Sequence, residues 1–124
     1  MHIDSYSFGE IVVNGKHYTT DVIIYPDHVQ GDWWRKEGHE LCLDDIREVL
    51  ESKLCTEMVQ GKTATIIVGT GASNCMRVLP DTEKYLRSQG IKLTTLPTAE
   101  AVKTYNQLIT KGEKNIVACL HLTC

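Results

Sequence analysis

His121 is the one residue of this chain placed and typed for proton chemistry. It stands in Leu120-His121-Leu122-Thr123-Cys124, at the end of an apolar run, and imidazole gains or loses a proton near neutral pH without help from its surroundings. In an extended strand alternate side chains share a face, so His121 and Thr123 point one way, Leu120 and Leu122 the other. A second polar feature, Gly69-Thr70-Gly71-Ala72-Ser73-Asn74, follows the apolar Thr65-Ile66-Ile67-Val68. Exposed amides in such a loop can hold a carboxylate or phosphate, while a tight turn after a buried strand needs glycine for backbone reasons alone. If the two strands are parallel neighbours, residues 69–71, Thr98 and His121 converge at the sheet edge where open α/β folds bind ligands. That edge would suit acid–base work on a small anionic substrate, with His121 carrying the proton and Thr70 or Thr98 positioning the substrate. The alternative is a core histidine donating to a backbone carbonyl.

Stronger signatures are absent. A dinucleotide fingerprint needs a third glycine or alanine where Asn74 stands, and an acid where the next strand ends Thr94-Thr95-Leu96. A phosphate-binding Gly-Lys-Ser/Thr is missing too, so no cofactor is expected. Cys124 with His121 as base would make a nucleophile pair, yet a carboxylate beside the last residue raises the thiol pKa and weakens it. His121 and Cys124 supply two metal ligands at most. His2, His17, His28 and His39 show no ligand spacing and no C-x-x-C occurs among the five cysteines, so no metal site is expected.

A different chemistry is offered by Trp33-Trp34-Arg35-Lys36. Tryptophan and arginine dominate protein–protein hot spots, and in a strand the two rings point to opposite faces, one to the core and one to a partner. Trp33, Trp34 and Arg35 are therefore the candidate partner-binding residues. The alternative is that both rings cover a sheet edge.

These residues need elements to hold them. Asn14-Gly15 joins the β-prone residues 10–13 and 16–18 and suits a type I′ hairpin. Residues 21–25 read as a strand stopped by Pro26, and residues 29–40 as a strand edge or long loop. Asp44-Asp45 opens a helix whose Ile46, Val49 and Leu50 form one stripe, and residues 55–62 read as irregular. Then comes βαβαβ: a strand at 65–68, a helix at 80–89, a strand at 91–96, a helix capped by Thr98 and running to about Lys111, and a strand at 115–122. Right-handed crossovers make those three strands parallel. In the second helix Tyr105 should pack, and Asn106 is either solvent-facing or a buried strut.

Four features, taken together, resemble the Mth domain family: Gly69-Thr70-Gly71, the helix from Thr98-Ala99-Glu100-Ala101 through Tyr105-Asn106, the terminal His121-Leu122-Thr123-Cys124, and the early Phe8-Gly9 with Asp21-Val22-Ile23-Ile24. The resemblance covers nearly the whole chain. It implies an α/β fold in three layers, a mixed and mostly parallel central sheet flanked by helices, with a small N-terminal antiparallel addition. It implies no activity, although some mitochondrial relatives assist complex assembly.

Composition limits the remainder. With 124 residues, 42% of them hydrophobic, the chain makes one domain over residues 1–124. A net charge of -3 offers no field for nucleic acid, and no apolar run is long enough to span a membrane. The start lacks a secretion or transit signal, so a cytoplasmic protein is expected. Its function is expected to be that of a non-enzymatic protein-binding or assembly module, the alternative being a small-molecule-binding protein or enzyme at residues 69–71, Thr98 and His121. A monomer or weak homodimer is expected.

Overall fold

Strands covered on both faces are apolar throughout, and two runs of this chain fit that description. In the computed structural model, which describes residues 1–35, 39–51 and 64–123, they form the centre of the sheet. In chain order the strands are β1 (Ile3–Ser7), β2 (Glu10–Val13), β3 (Lys16–Tyr18), β4 (Val22–Ile24), β5 (Val29–Gln30), β6 (Glu40–Leu41), β7 (Thr65–Thr70), β8 (Arg77–Val78), β9 (Lys92–Leu96) and β10 (Ile116–His121). The helices are α1 (Arg47–Leu50), entered through a 3-10 turn at Leu43–Ile46, α2 (Pro80–Ser88) and α3 (Thr98–Thr110).

The central sheet runs β5-β4-β10-β7-β9. β10 is parallel to β7 and β7 to β9, as the crossover rule requires, while β4 pairs antiparallel with β10 and β5 with β4. β1, β2 and β3 form the small antiparallel sheet. Its Asn14-Gly15 turn has φ of 49° and 79°, the two positive values of a type I′ hairpin. β6 and β8 make a short parallel pair of their own. β1, β8 and the β6–β8 pairing are additions to what the sequence predicts. The irregular segment expected at 55–62 and Cys124 lie outside the described residues.

The two faces of the sheet bury separate cores. One face packs Ile23, Trp33, Val49, Val68, Leu86 and Cys119. The opposite face packs Ile11, Ile24, Ile67, Val102, Tyr105 and Leu120 beneath α3 and the small sheet. Helix α3 approaches β7 closely at Gly69, where a Cβ would come within 2.9 Å of Thr98 Oγ1 and 3.3 Å of Thr98 Cα. Asn106 is a half-buried strut: it accepts from Ile3 N at 3.0 Å and donates to Ile3 O at 2.8 Å, pairing with β1 as a neighbouring strand would. Tyr105 packs fully inside.

Thr98 departs from expectation. Pro97 occupies the N-cap position of α3, with Thr98 the first helical residue, and the Thr98 hydroxyl caps nothing in its own helix. It is committed elsewhere.

Candidate functional site

Parallel pairing of β10 and β7 brings the C-terminal ends of both strands level, with His121 opposite Thr70. The start of α3 arrives at the same edge, and a knot of hydrogen bonds forms there. Buried Thr98 donates from Oγ1 to His121 O at 2.6 Å and accepts at Oγ1 from Gly71 N at 2.8 Å. Thr98 N donates to Gly71 O at 3.1 Å, and Ala72 N to Thr123 O at 3.2 Å. The Thr70 hydroxyl donates to Leu96 O at 3.0 Å and also meets Asn74 Oδ1. Residues 69–71, Thr98 and His121 thus meet, but His121 joins through its backbone. The Gly71 amide is taken by Thr98, while Gly69 and Thr70 lie inside the β7 ladders.

The His121 side chain leaves on the other face of the sheet, that of Cys119. Its ring is buried, 8% exposed, and Nδ1 lies 2.8 Å from Asp21 Oδ2. Arg35 Nη2 lies 2.9 Å from that oxygen and 2.9 Å from Nδ1. Nδ1 therefore faces an acceptor, the Asp21 carboxylate, and a donor, the Arg35 guanidinium, and which of them it pairs with depends on the tautomer of the ring. Nε2 is buried with no hydrogen-bond partner among the described residues. His39, itself exposed, meets the His121 ring edge-on with centroids 6.4 Å apart.

Asp21 organises this cluster. Its Oδ1 accepts from Leu122 N at 2.8 Å, continuing the β4–β10 pairing by a side chain, and its carbonyl accepts from Trp33 N at 2.9 Å. Burial pushes the Asp21 pKa up, but the bond from His121, the Leu122 amide and Arg35 together outweigh it and hold the carboxyl below its ordinary value. Arg35 stacks on the Trp33 ring, 4.7 Å from its centroid. Burial raises the nearby Cys119 thiol to about 12, so it stays protonated. The cluster is built to hold charge inside the protein.

Sequence reasoning missed Asp21 as a site residue and set His39 aside. The available signal was an acid directly before the apolar Val22-Ile23-Ile24, since a carboxylate entering a core needs a cation. Arg35 carried that cation, although its sequence context suggested a surface role.

The partner-binding candidates separate. Trp33 is buried and donates from Nε1 to Asp45 O at 2.8 Å, and Arg35 is buried beside it. Trp34 is 74% exposed. The surface reading of this stretch therefore narrows to Trp34, which borders a cleft of about 290 Å³ lined also by Gln30, Asp32, Asp44, Asp45 and Glu48. Asp44 pairs with Arg47, and Asp45 closes onto the Cys42 backbone N–H at 3.0 Å. Of the thiols, Cys119 is buried and Cys75 is exposed. Among the described residues no group of three potential metal ligands occurs, and no helix is long and apolar enough to cross a membrane.

Comparison with known proteins gives a consistent relationship. The family model described as "Protein of unknown function (DUF498/DUF598)" matches residues 3–121. The chain is similar to the conserved hypothetical protein PH1505 from Pyrococcus horikoshii, 25% identical over 100% of both chains with a TM-score of 0.77. It is also similar to MT938, at 25% identity over 99% of this chain and 98% of that one, TM-score 0.74. A third likeness is to a Mth938-like domain from Bordetella pertussis, 19% identical over 98% and 85% of the two chains, TM-score 0.68.

Proposed function

The chain belongs to the family of unknown function DUF498/DUF598, the Mth domain family, and we propose that it serves there as a protein-binding or assembly module whose partner presents a basic segment. The observation that carries this reading is Trp34, 74% exposed at the rim of the cleft between β5 and α1. Large aromatic rings left in water are the residues most often used as interface anchors. Asp32, Asp44, Asp45 and Glu48 give the cleft an acidic lining, which complements Lys or Arg side chains and lets one of them stack on the indole. The net charge of -3 steers in the same direction. Exposed Cys75 and buried Cys119, both free, favour a reducing compartment, which supports a cytoplasmic setting.

Affinity purification from the native host tests this. A stoichiometric basic partner should be recovered with the wild-type chain, lost with Trp34→Ala and weakened by Glu48→Lys or by salt. Equal recovery with Trp34→Ala at an unchanged melting temperature refutes the role of this surface.

A further inference from the structure

A cleft at the C-terminal end of α3 is walled in part by a residue whose polar atom the fold leaves unmatched. The cleft has a volume of about 330 Å³ and lies between the last turn of α3, the stretch before β10 and the residues flanking β1 and β4. We propose that it binds a small uncharged molecule, an apolar body bearing one carbonyl oxygen, and that the Tyr105 hydroxyl donates to that oxygen.

The lining decides the class of ligand. Apolar contact comes from Ile109 of α3, from Pro26 after β4 and from half-buried Met1 before β1, whose thioether adapts to irregular shapes. Charge enters the lining only at Glu113 and Lys114, both exposed and of opposite sign, so the cleft presents no net charge. A carboxylate or ammonium leaving water for this place would lose hydration without a buried counter-ion among the lining residues. The volume is near the small end of ligand cavities, which run from about 300 to 1,000 Å³. At Gly112 an added Cβ would meet nothing within 4 Å, so that wall is open enough to admit a ligand.

Tyr105 supplies the recognition. It lines the cleft, it is fully buried, and its hydroxyl has no hydrogen-bond partner among the described residues. Buried polar groups are nearly always paired in native proteins, and each exception needs a reason. A carbonyl is the simplest complement, since one O–H meets one acceptor and nothing is left over. A ligand hydroxyl would bring a second hydrogen, and one of the two would lack an acceptor. Burial raises the phenol pKa to about 12, so the ring keeps the hydrogen it must donate. Its place is fixed, because the next residue, Asn106, clamps α3 to Ile3 through two hydrogen bonds. The cleft shares no lining residue with the one beside Trp34.

The test uses the whole protein with acetophenone and isopropenylbenzene, which share a shape and differ in C=O against C=CH2. Acetophenone should shift the amide signals of Ile109, Gly112 and Lys114 saturably. It should also move the carbon-13 Cζ signal of Tyr105 further than isopropenylbenzene does. Tyr105→Phe should weaken acetophenone about tenfold and leave isopropenylbenzene within about twofold. Ile109→Trp, which fills the cleft, should abolish binding of both. Trp34→Ala should change neither, so the outcome is separate from that of the basic-partner reading. Absence of a saturable acetophenone shift at these residues in the wild type overturns the inference. So does equal weakening of the two probes by Tyr105→Phe, or weakening of neither. If that variant fails to fold, equal Cζ shifts from the two probes in the wild type overturn it instead.

Discussion

Two polar clusters sit at the same end of the central sheet, on opposite faces, and they are finished differently. On the α3 face, Thr98 closes a knot in which hydroxyl, amides and carbonyls all find partners inside the protein. On the other face Asp21, Arg35 and His121 form a charged cluster in which Nε2 of the histidine has no partner among the described residues. Both are buried and both join distant parts of the chain. Only the second holds formal charges. A neutral network is satisfied by hydrogen bonds alone, whereas a charged one must also balance its charges inside the protein.

The largest effect expected from breaking this contrast is at Asp21. Asp21→Ala removes the acceptor shared by Arg35, His121 and the Leu122 amide. Deleting one member of a buried ion pair costs about 3–5 kcal/mol, so urea unfolding should show a large fall in midpoint at unchanged slope. A loss below about 1 kcal/mol would mean that the cluster is solvated in solution.

Thr98→Val keeps the shape and deletes the hydroxyl. Gly71 N and His121 O then lose a buried partner, which costs about 1–3 kcal/mol. Thr98→Ser should recover most of it.

How far the sequence foretold these clusters follows from range. The parallel strands, α2, α3 and the Asn14-Gly15 hairpin are written in local periodicity and turn chemistry, and they were legible. Convergence of Gly71, Thr98 and His121 also followed, because β-α-β connections have one hand. The bonds themselves did not. Thr98 looked like an N-cap because threonine commonly caps helices, but Pro97 fills that position and frees the hydroxyl for a carbonyl 23 residues away. Asp21 and His121 are 100 residues apart, and their contact depends on the antiparallel placement of β4 beside β10, which no local pattern encodes. Arg35 follows an exposed tryptophan and precedes a lysine, so its context described a surface while its guanidinium went inside.

A smaller effect is expected from pH. Asp21 has a folded pKa below its ordinary value, so it binds protons less readily folded than unfolded. Its stabilising contribution is fully present above about pH 5 and declines as the pH falls below the unfolded value, about 3.9, and then through the folded one. Acid unfolding of the wild type should therefore carry a steep limb below about pH 4. Asp21→Asn should start less stable at neutral pH and show a flatter limb. Equal slopes for the two proteins would remove Asp21 from the acid response.

Smallest of all is the effect expected at Tyr105, and it bears on how an unused polar atom should be read. The Tyr105 hydroxyl is buried on the α3 face and, like His121 Nε2, has no hydrogen-bond partner among the described residues. Burial raises its pKa to about 12, so it stays neutral. Tyr105 belongs to the apolar cluster that holds Ile3, Val102 and Ile116. A neutral hydroxyl in such surroundings gives up hydration and receives nothing in return, so Tyr105→Phe should be neutral or should stabilise by up to about 1 kcal/mol in thermal or urea unfolding. That outcome would show that a lone unpartnered atom is tolerated here in the ligand-free protein. His121 differs in having Asp21 and Arg35 against its ring, charged neighbours that Tyr105 lacks. Destabilisation by more than about 1 kcal/mol would instead show that the hydroxyl is engaged in solution, and the two atoms would no longer be comparable.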